Sequence, residues 1–298
     1  MPIEVDCIIP VFNEDSIESL IREIRSTPLE GYALFITIVD DGSLRPVSEQ
    51  IPQDAGLRII RHPRNFGNGA AIKSGLFSTQ REFVVLLDGD AQHDPAYLKG
   101  LLDGLERFDL VIASRRDWVN CGFSRAWANR FYCATAGWLM GREFSDITSG
   151  FRAFRRSLFY RVFPVFPDKF SSPITLALFA HMMNRTVGYH PIIVRRRSGK
   201  SKIRIVHDGV RFLHGILKIG LLANPIKFFY FHAALLGAAG STYTALNYHF
   251  THRIFVPSGA AILFFLMGMS MVTAHVVDFA RLILILTVCD GRCAEPAR

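Results

Sequence analysis

Through the first two hundred residues short apolar runs alternate with amphipathic stretches, the pattern of an α/β domain built on a largely parallel sheet. Val5 to Pro10, Leu34 to Val39, Leu57 to Arg61, Phe83 to Leu87 and Leu110 to Ala113 read as strands. Glu14 to Arg25 reads as a helix, because Ile17, Leu20, Ile21 and Ile24 recur at a spacing that places them on one face. Gly69 to Phe77 and Pro95 to Glu106 read as two more. The polar clusters fall at the carboxyl ends of these strands, which is where open α/β sheets bind ligands.

The pattern changes near residue 205. Val206 to Leu222 sets Val210, Phe212, Leu213, Ile216, Leu217 and Ile219 against His207, Asp208, Arg211, His214 and Lys218. This predicts an amphipathic helix lying in a membrane interface, with an ordinary core helix as the alternative. Phe228 to Leu246 and Ser258 to Val277 are each long enough to cross a hydrocarbon core of about 30 Å at about 1.5 Å per residue. Two transmembrane helices are expected, at 228–247 and 258–277; two buried helices of a soluble protein are the alternative. Gly237, Ala238, Ala239, Gly240, Gly268 and Ser270 suit close packing of such helices. The apolar, aromatic stretch Asn129 to Met140 is either a core helix or a second element facing lipid.

Lys and Arg cluster before the first run and recur after the second, with only Arg253 between, so both ends are expected in the cytoplasm. Met1 to Pro10 carries acidic Glu4 and Asp6 and no signal-peptide pattern. The resulting division is a cytoplasmic domain at 1–205, an interfacial helix at 206–224, and a membrane domain at 225–298 with a short tail. The net charge of +8 concentrates beside the apolar runs, which favours an anionic bilayer over nucleic acid as partner. Five cysteines without zinc-type spacing are expected to be reduced thiols.

Two acidic pairs, Asp40 with Asp41 and Asp88 with Asp90, stand at strand ends. Gathering carboxylates against their repulsion calls for a cation or hydrogen-bond donors. A hard divalent ion, Mg²⁺ or Mn²⁺, suits carboxylate and phosphate oxygens, and Gly89 would let a ligand reach the backbone. A solvated turn with Asp94 capping a helix before Pro95 is the competing reading.

Several motifs in one order make the resemblance specific: IIPVFNED (Ile8 to Asp15), VDDGS (Val39 to Ser43), NFGNGAAIKSG (Asn65 to Gly75), LLDGDAQHDP (Leu86 to Pro95), ASR (Ala113 to Arg115), DITSGFRAFRR (Asp146 to Arg156) and RRSGKSK (Arg196 to Lys202). The chain resembles family 2 glycosyltransferases of the polyprenyl-phosphate sugar synthase group, relatives of dolichyl-phosphate mannose synthase. The resemblance implies a GT-A type fold, mostly parallel sheet flanked by helices, followed by the interfacial helix and two spans. It implies an inverting hexosyltransferase that moves a sugar from a UDP- or GDP-linked donor to undecaprenyl or dolichyl phosphate, giving a lipid-linked sugar of the kind used for cell-envelope glycans.

Carried over, the resemblance places Pro10, Phe12, Asn13 and Glu14 at the nucleotide, Asp40 and Asp41 near base and ribose, and Lys73 beside them. Asp88 and Asp90 hold the metal and diphosphate, with Gln92 as a further ligand. Arg115 and Arg196 meet the acceptor phosphate, assisted by Ser201 and Lys202. Ser124 matches an acceptor-loop serine, but the arginine usual shortly before it is missing, and Arg125 is its replacement. Asp146 lies beneath the donor sugar, binding a hydroxyl or aligning the acceptor, with a base role as the weaker alternative. His190 stands where relatives carry Glu and reads as a structural histidine at a strand start. A processive polysaccharide synthase would bring a Gln-x-x-Arg-Trp segment, which this sequence does not contain; a non-catalytic scaffold would not need the acidic pairs. Two spans are few for a lipid-handling enzyme, which leaves room for a homo-oligomer.

Overall fold

A computed structural model describes residues 1–51, 56–116, 123–163, 166–168, 172–195, 205–253 and 255–290. The chain divides into two compact units: 1–138 with 142–216, and 139–141 with 217–298.

The first unit runs β1 (Ile3–Val11), α1 (Ile17–Ser26), β2 (Tyr32–Asp40), β3 (Leu57–Arg61), α2 (Asn68–Phe77), β4 (Phe83–Leu86), a 3-10 turn at Pro95–Tyr97, α3 (Leu98–Gly104), β5 (Leu110–Arg115), α4 (Phe123–Met140), β6 (Arg152–Arg155), α5 (Arg156–Val162), α6 (Ser172–Met182), β7 (Val187–Ile192) and the start of α7 (Ile205–Ala223). The strands form one sheet in the order β3-β2-β1-β4-β6-β5-β7. All neighbours are parallel except β6, which runs antiparallel to both β4 and β5.

β1 is central and covered on both faces: Val5, Cys7, Ile8 and Ile9 are fully buried, which is why this stretch reads as an unbroken apolar run. Asp6 is buried among them. Its Oδ1 accepts from Arg81 Nη1 at 2.9 Å, and its Oδ2 accepts from the Arg81 amide at 3.0 Å and from Arg156 Nη2 at 2.7 Å. Two guanidinium groups therefore stand in for the water that the carboxylate lost, tying β1 to the segments before β4 and after β6. α1 buries Ile17, Leu20, Ile21 and Ile24, the face its periodicity predicts.

β6 was not expected from the sequence, and β7 was expected only as a strand starting at His190, three residues after its actual start at Val187. β6 is four residues long with an arginine at each end, so it lacks an apolar signature, yet Arg152 is fully buried. β7 contains Pro191, which is tolerated because β7 is the sheet's edge strand. His190 accordingly sits inside a strand rather than at its start, with its ring against Gly100, where a side chain would collide with it at 2.4 Å. The expected helix at Pro95 to Glu106 is a 3-10 turn followed by the short α3.

The second unit holds the end of α7, α8 (Pro225–Thr251) and α9 (Ser258–Asp290). α8 and α9 run antiparallel, with Gly237 against Met267 and Gly240 against Phe264, contacts that a side chain at either glycine would crowd. Ser270 Oγ donates to the Phe229 carbonyl at 3.0 Å and lies 3.1 Å from His232 Nδ1, and Tyr230 Oη lies 3.1 Å from His275 Nε2. Gly268, grouped with these small residues in the sequence, faces open space instead. Among the described residues one helix, Ser258–Ile283, is by itself long and apolar enough to cross a membrane. α8 meets that standard only jointly with Phe212–Ala223, across a bend of 111°. Ser241, Thr242, Thr244 and Asn247 dilute the apolar character of its second half.

Candidate functional site

The carboxyl ends of β1, β2, β4 and β5 bring the acidic motifs and Arg115 to one rim of the sheet. At the end of β2 the two aspartates are buried and turned to their own loops. Asp40 accepts from the amides of Ser43 at 2.8 Å and Val47 at 3.2 Å. Asp41 accepts from the amides of Phe66 at 2.9 Å and Gly67 at 2.8 Å, and its Oδ1 lies 2.7 Å from His62 Nδ1. His62 Nε2 continues to Ser74 Oγ at 2.8 Å, so Asp41 fixes the loop that leads into α2. Gly42, at φ +77°, lets this turn pass the backbone of Arg64, from which a side chain would stand only 2.6 Å away. Asn13, itself at φ +50°, donates its amide to Ser43 Oγ at 2.9 Å, and its Oδ1 accepts from the Leu44 amide at 2.8 Å. The ends of β1 and β2 are thus sewn together, with Pro10, Phe12 and Glu14 on the same rim. Lys73 on α2 pairs with Asp168 at 2.7 Å, its ammonium 5.4 Å from the Phe163 ring.

Asp88 and Asp90 follow β4 on a turn. Ala91, at φ +53°, closes that turn, a conformation that costs a β-carbon residue about 1 kcal/mol. It persists because Gln92 is pinned on both sides: its amide donates to Asp90 Oδ1 at 3.2 Å and its carbonyl accepts from the Arg195 amide at 2.8 Å. Arg195 in turn pairs with Glu23 at 2.5 Å and Asp94 at 2.8 Å. At Gly89 a β-carbon would stand 2.9 Å from Val11 and 3.2 Å from the Pro10 carbonyl, so the close packing of β1 against this turn also requires glycine there. The glycine that matters to Asp88 is Gly150: a β-carbon there would fall 2.1 Å from Asp88 Oδ2. Its absence lets the loop before β6 close against the carboxylate.

Three basic side chains surround Asp88. Burial favours its protonated form, but His93, with Nε2 3.7 Å from Asp88 Oδ2, and the charges of Arg152 and Arg115 outweigh it and hold the carboxyl below the ordinary range. Arg152 is wholly enclosed. It donates to the carbonyls of Pro173, at 2.7 Å, and Ser149, and burial brings its pKa down to about 10 despite the carboxylates of Asp146 and Asp88. Its Nε and the Ser172 hydroxyl have no hydrogen-bond partner among the described residues, and both residues line a small cavity with Asp88, Gly150, Pro10 and Asn68.

Asp146 is buried and gripped by Arg115 through two parallel bonds, Nε to Oδ2 at 2.7 Å and Nη2 to Oδ1 at 2.8 Å. The amides of Arg115 and Thr148 add bonds at 3.3 and 3.1 Å. Burial raises this carboxyl's pKa, and the Arg115 charge and hydrogen bonds more than reverse the rise, so Asp146 stays ionised. An aspartate so engaged is a poor proton acceptor and a good holder of Arg115.

Of the remaining sequence candidates, Arg196, Ser201 and Lys202 lie outside the described residues, and so do the side chains of Ser124 and Arg125, which stand on the first turn of α4. His93, Asn129 and Arg152 were not among the sequence candidates, although His93 lies inside the Leu86 to Pro95 motif and Arg152 inside the Asp146 to Arg156 motif.

Among the described residues no group of three or more His, Cys, Asp or Glu converges as a closed metal cage. Two hard carboxylates, one of them held ionised, suit instead an ion such as Mg²⁺ or Mn²⁺ that takes few protein ligands and completes its shell with phosphate and water.

Comparison with known proteins gives three kinds of likeness. A family model described as glycosyl transferase family 2 matches residues 6–163. Dodecaprenyl-phosphate galacturonate synthase of Rhizobium johnstonii is 26% identical over 171 residues, 54% of this chain and 50% of that one. Undecaprenyl-phosphate 4-deoxy-4-formamido-L-arabinose transferase is 29% identical over 206 residues in Edwardsiella ictaluri, 66% of this chain and 62% of that one. The Pseudomonas aeruginosa protein of the same name is 32% identical over 163 residues, 52% of this chain and 48% of that one. The chain thus spans about half to three fifths of the length of these curated relatives. Among solved structures, glucosyl-3-phosphoglycerate synthase of Mycobacterium tuberculosis with Mn²⁺, UDP and glucosyl-3-phosphoglycerate superimposes with TM-score 0.59 at 19% identity, over 72% of this chain and 79% of that one. The same enzyme with Mg²⁺ and UDP gives TM-score 0.55 at 18% identity, over 72% and 79%. The likeness to these structures is one of fold.

Proposed function

Because this chain belongs to glycosyl transferase family 2, we propose that it moves a sugar from a nucleotide-sugar donor to a polyprenyl phosphate, with inversion at the anomeric carbon. The curated relatives that act on dodecaprenyl and undecaprenyl phosphate support the acceptor class. The observation that carries the reading is electrostatic. Arg115 is clamped by Asp146 yet close enough to Asp88 for its charge to lower that carboxyl's pKa, so a cation suited to an acceptor phosphate stands beside a carboxylate suited to a donor.

In this reading Pro10, Phe12, Asn13 and Glu14 line the nucleotide, while Asp40 and Asp41 shape its wall by holding the loops after β2 and before α2. Lys73, paired with Asp168, completes that side. Asp88, Asp90 and Gln92 would hold Mg²⁺ or Mn²⁺, which when bound neutralises charge on the leaving diphosphate. The solved relatives of this fold contain such ions and UDP, which favours a UDP-linked donor. A lipid phosphate is already anionic at neutral pH, so no strong base is required. Arg115 would fix that phosphate by its planar fork, with Arg196, Ser201, Lys202, Ser124 and Arg125 as further contacts. Asp146 serves by keeping Arg115 in place and ionised. We assign residues 1–205 to transfer, 206–224 to the interface, and 225–298 to a two-span membrane domain with the transferase on the cytoplasmic side.

Membranes containing the protein are to be incubated with a panel of radiolabelled nucleotide sugars, undecaprenyl or dolichyl phosphate, and Mg²⁺ or Mn²⁺, then extracted. Label is expected in the lipid phase with one donor and to disappear on chelation. No label in lipid with any donor would overturn the reading.

A further inference from the structure

The clamp on Arg115 does not end at Asp146. Arg115 Nη2 also donates to Thr148 Oγ1, and Thr148 Oγ1 lies 2.8 Å from Asn129 Oδ1 and 3.2 Å from Asp146 Oδ1. A hydroxyl has one proton to donate and two lone pairs to accept with. With its proton on the shorter contact, toward Asn129, Thr148 turns a lone pair to Arg115 and leaves Asp146 Oδ1 to the guanidinium. With its proton on Asp146 instead, it would compete with Arg115 for that oxygen.

Asn129 is the group that decides between these arrangements. It is 3% exposed, on α4, the helix whose first turn carries Ser124 and Arg125. Its Oδ1 accepts from Thr148 Oγ1 at 2.8 Å.

We propose that Asn129 is a positioning residue for the acceptor phosphate: through Thr148 it sets the plane of Arg115, linking α4 to the acceptor side of the site. This rests on the lipid-phosphate reading above. The effect expected is that of one buried hydrogen bond. Asn129→Ala and Thr148→Val should each raise KM for polyprenyl phosphate about threefold to tenfold while leaving KM for the nucleotide sugar unchanged. Thr148→Ser, which keeps the hydroxyl, should restore wild-type values, and the double variant Asn129→Ala/Thr148→Val should be no worse than either single one. Equal rises in both KM values, an unchanged acceptor KM, or additive losses in the double variant would each overturn the proposal.

A measurement without acceptor separates this inference from the reading it rests on. The Arg115 Nη2–H resonances of the full-length protein, whose bonds go to Asp146 Oδ1 and Thr148 Oγ1, should be protected from exchange in the wild type and lose that protection in Asn129→Ala. If the wild type glycosylates no lipid phosphate, the functional reading falls. Loss of protection in the variant would then still uphold the positioning of Arg115, and unchanged protection would overturn it.

Discussion

Asp40 with Asp41 and Asp88 with Asp90 look alike in the sequence, two acidic pairs at strand ends, yet the fold treats them oppositely. The β2 pair is buried, and the backbone amides of Ser43, Val47, Phe66 and Gly67 converge on its oxygens. The β4 pair is only partly buried, with Arg115, Arg152 and His93 around Asp88 and the Gln92 amide on Asp90 Oδ1. The oxygens of one pair are engaged by loop amides, whereas basic side chains face Asp88 of the other. Carboxylate spacing alone does not tell these two environments apart; the kind of donor facing each oxygen does.

The comparison is broken most sharply by exchanging which property each pair controls. Asp90→Ala should lower transfer on the order of a thousandfold, by analogy with loss of a group that stabilises developing charge, with a melting temperature close to wild type. Single-turnover assays beside thermal melts check this, and a variant that melts early instead would move Asp90 to the scaffold class. Asp41→Ala should do the reverse. Stranding the amides of Phe66 and Gly67 and the His62 ring is expected to cost about 3 kcal/mol of stability, measured by denaturant unfolding. If Asp41→Ala is inactive but fully stable, the carboxylate touches ligand and the contrast collapses.

Arg115→Lys tests the acceptor side. A lysine keeps the charge but loses the paired bonds to Asp146, so KM for lipid phosphate should rise about tenfold while donor KM is unchanged. The last prediction concerns a half-buried group outside both pairs. The His181 ring meets Phe144 edge-to-face at 4.7 Å, and burial, aided by the Arg142 charge, pushes its pKa down to about 4. The unfolded chain takes up a proton below about pH 6.5. The fold refuses that proton until about pH 4, so stability should decline as pH falls across that window and be flat above it. Unfolding curves of His181→Phe, compared with wild type from pH 7 to pH 4, should show a shallower decline.

Much of the first unit was legible in the sequence. The strands β1 to β5 announce themselves as apolar runs between turns, and α1 by its four buried positions. β6 did not, because a strand flanked by Arg152 and Arg155 looks solvated until Asp88, Asp146 and two carbonyls are brought around Arg152. The beginning of β7 was obscured by Gly188, and Pro191 within it is acceptable only on an edge, so the sequence showed a strand from His190 but not its true start at Val187. In the site, the motif positions were readable but their alliances were not. Arg115 and Asp146 are 31 residues apart, and Asn129 and Thr148 are 19 apart on different elements.

By itself the sequence determined the alternation of strands and helices, the acidic motifs at strand ends, and the apolar character of the final helix, because each depends on residues close together along the chain. Only the tertiary structure decided that β6 enters the sheet antiparallel, that loop amides converge on Asp40 and Asp41, and that Asp146 holds Arg115. Those outcomes turn on which donor meets which oxygen once water is excluded, and burial assigns partners without regard to their separation in sequence.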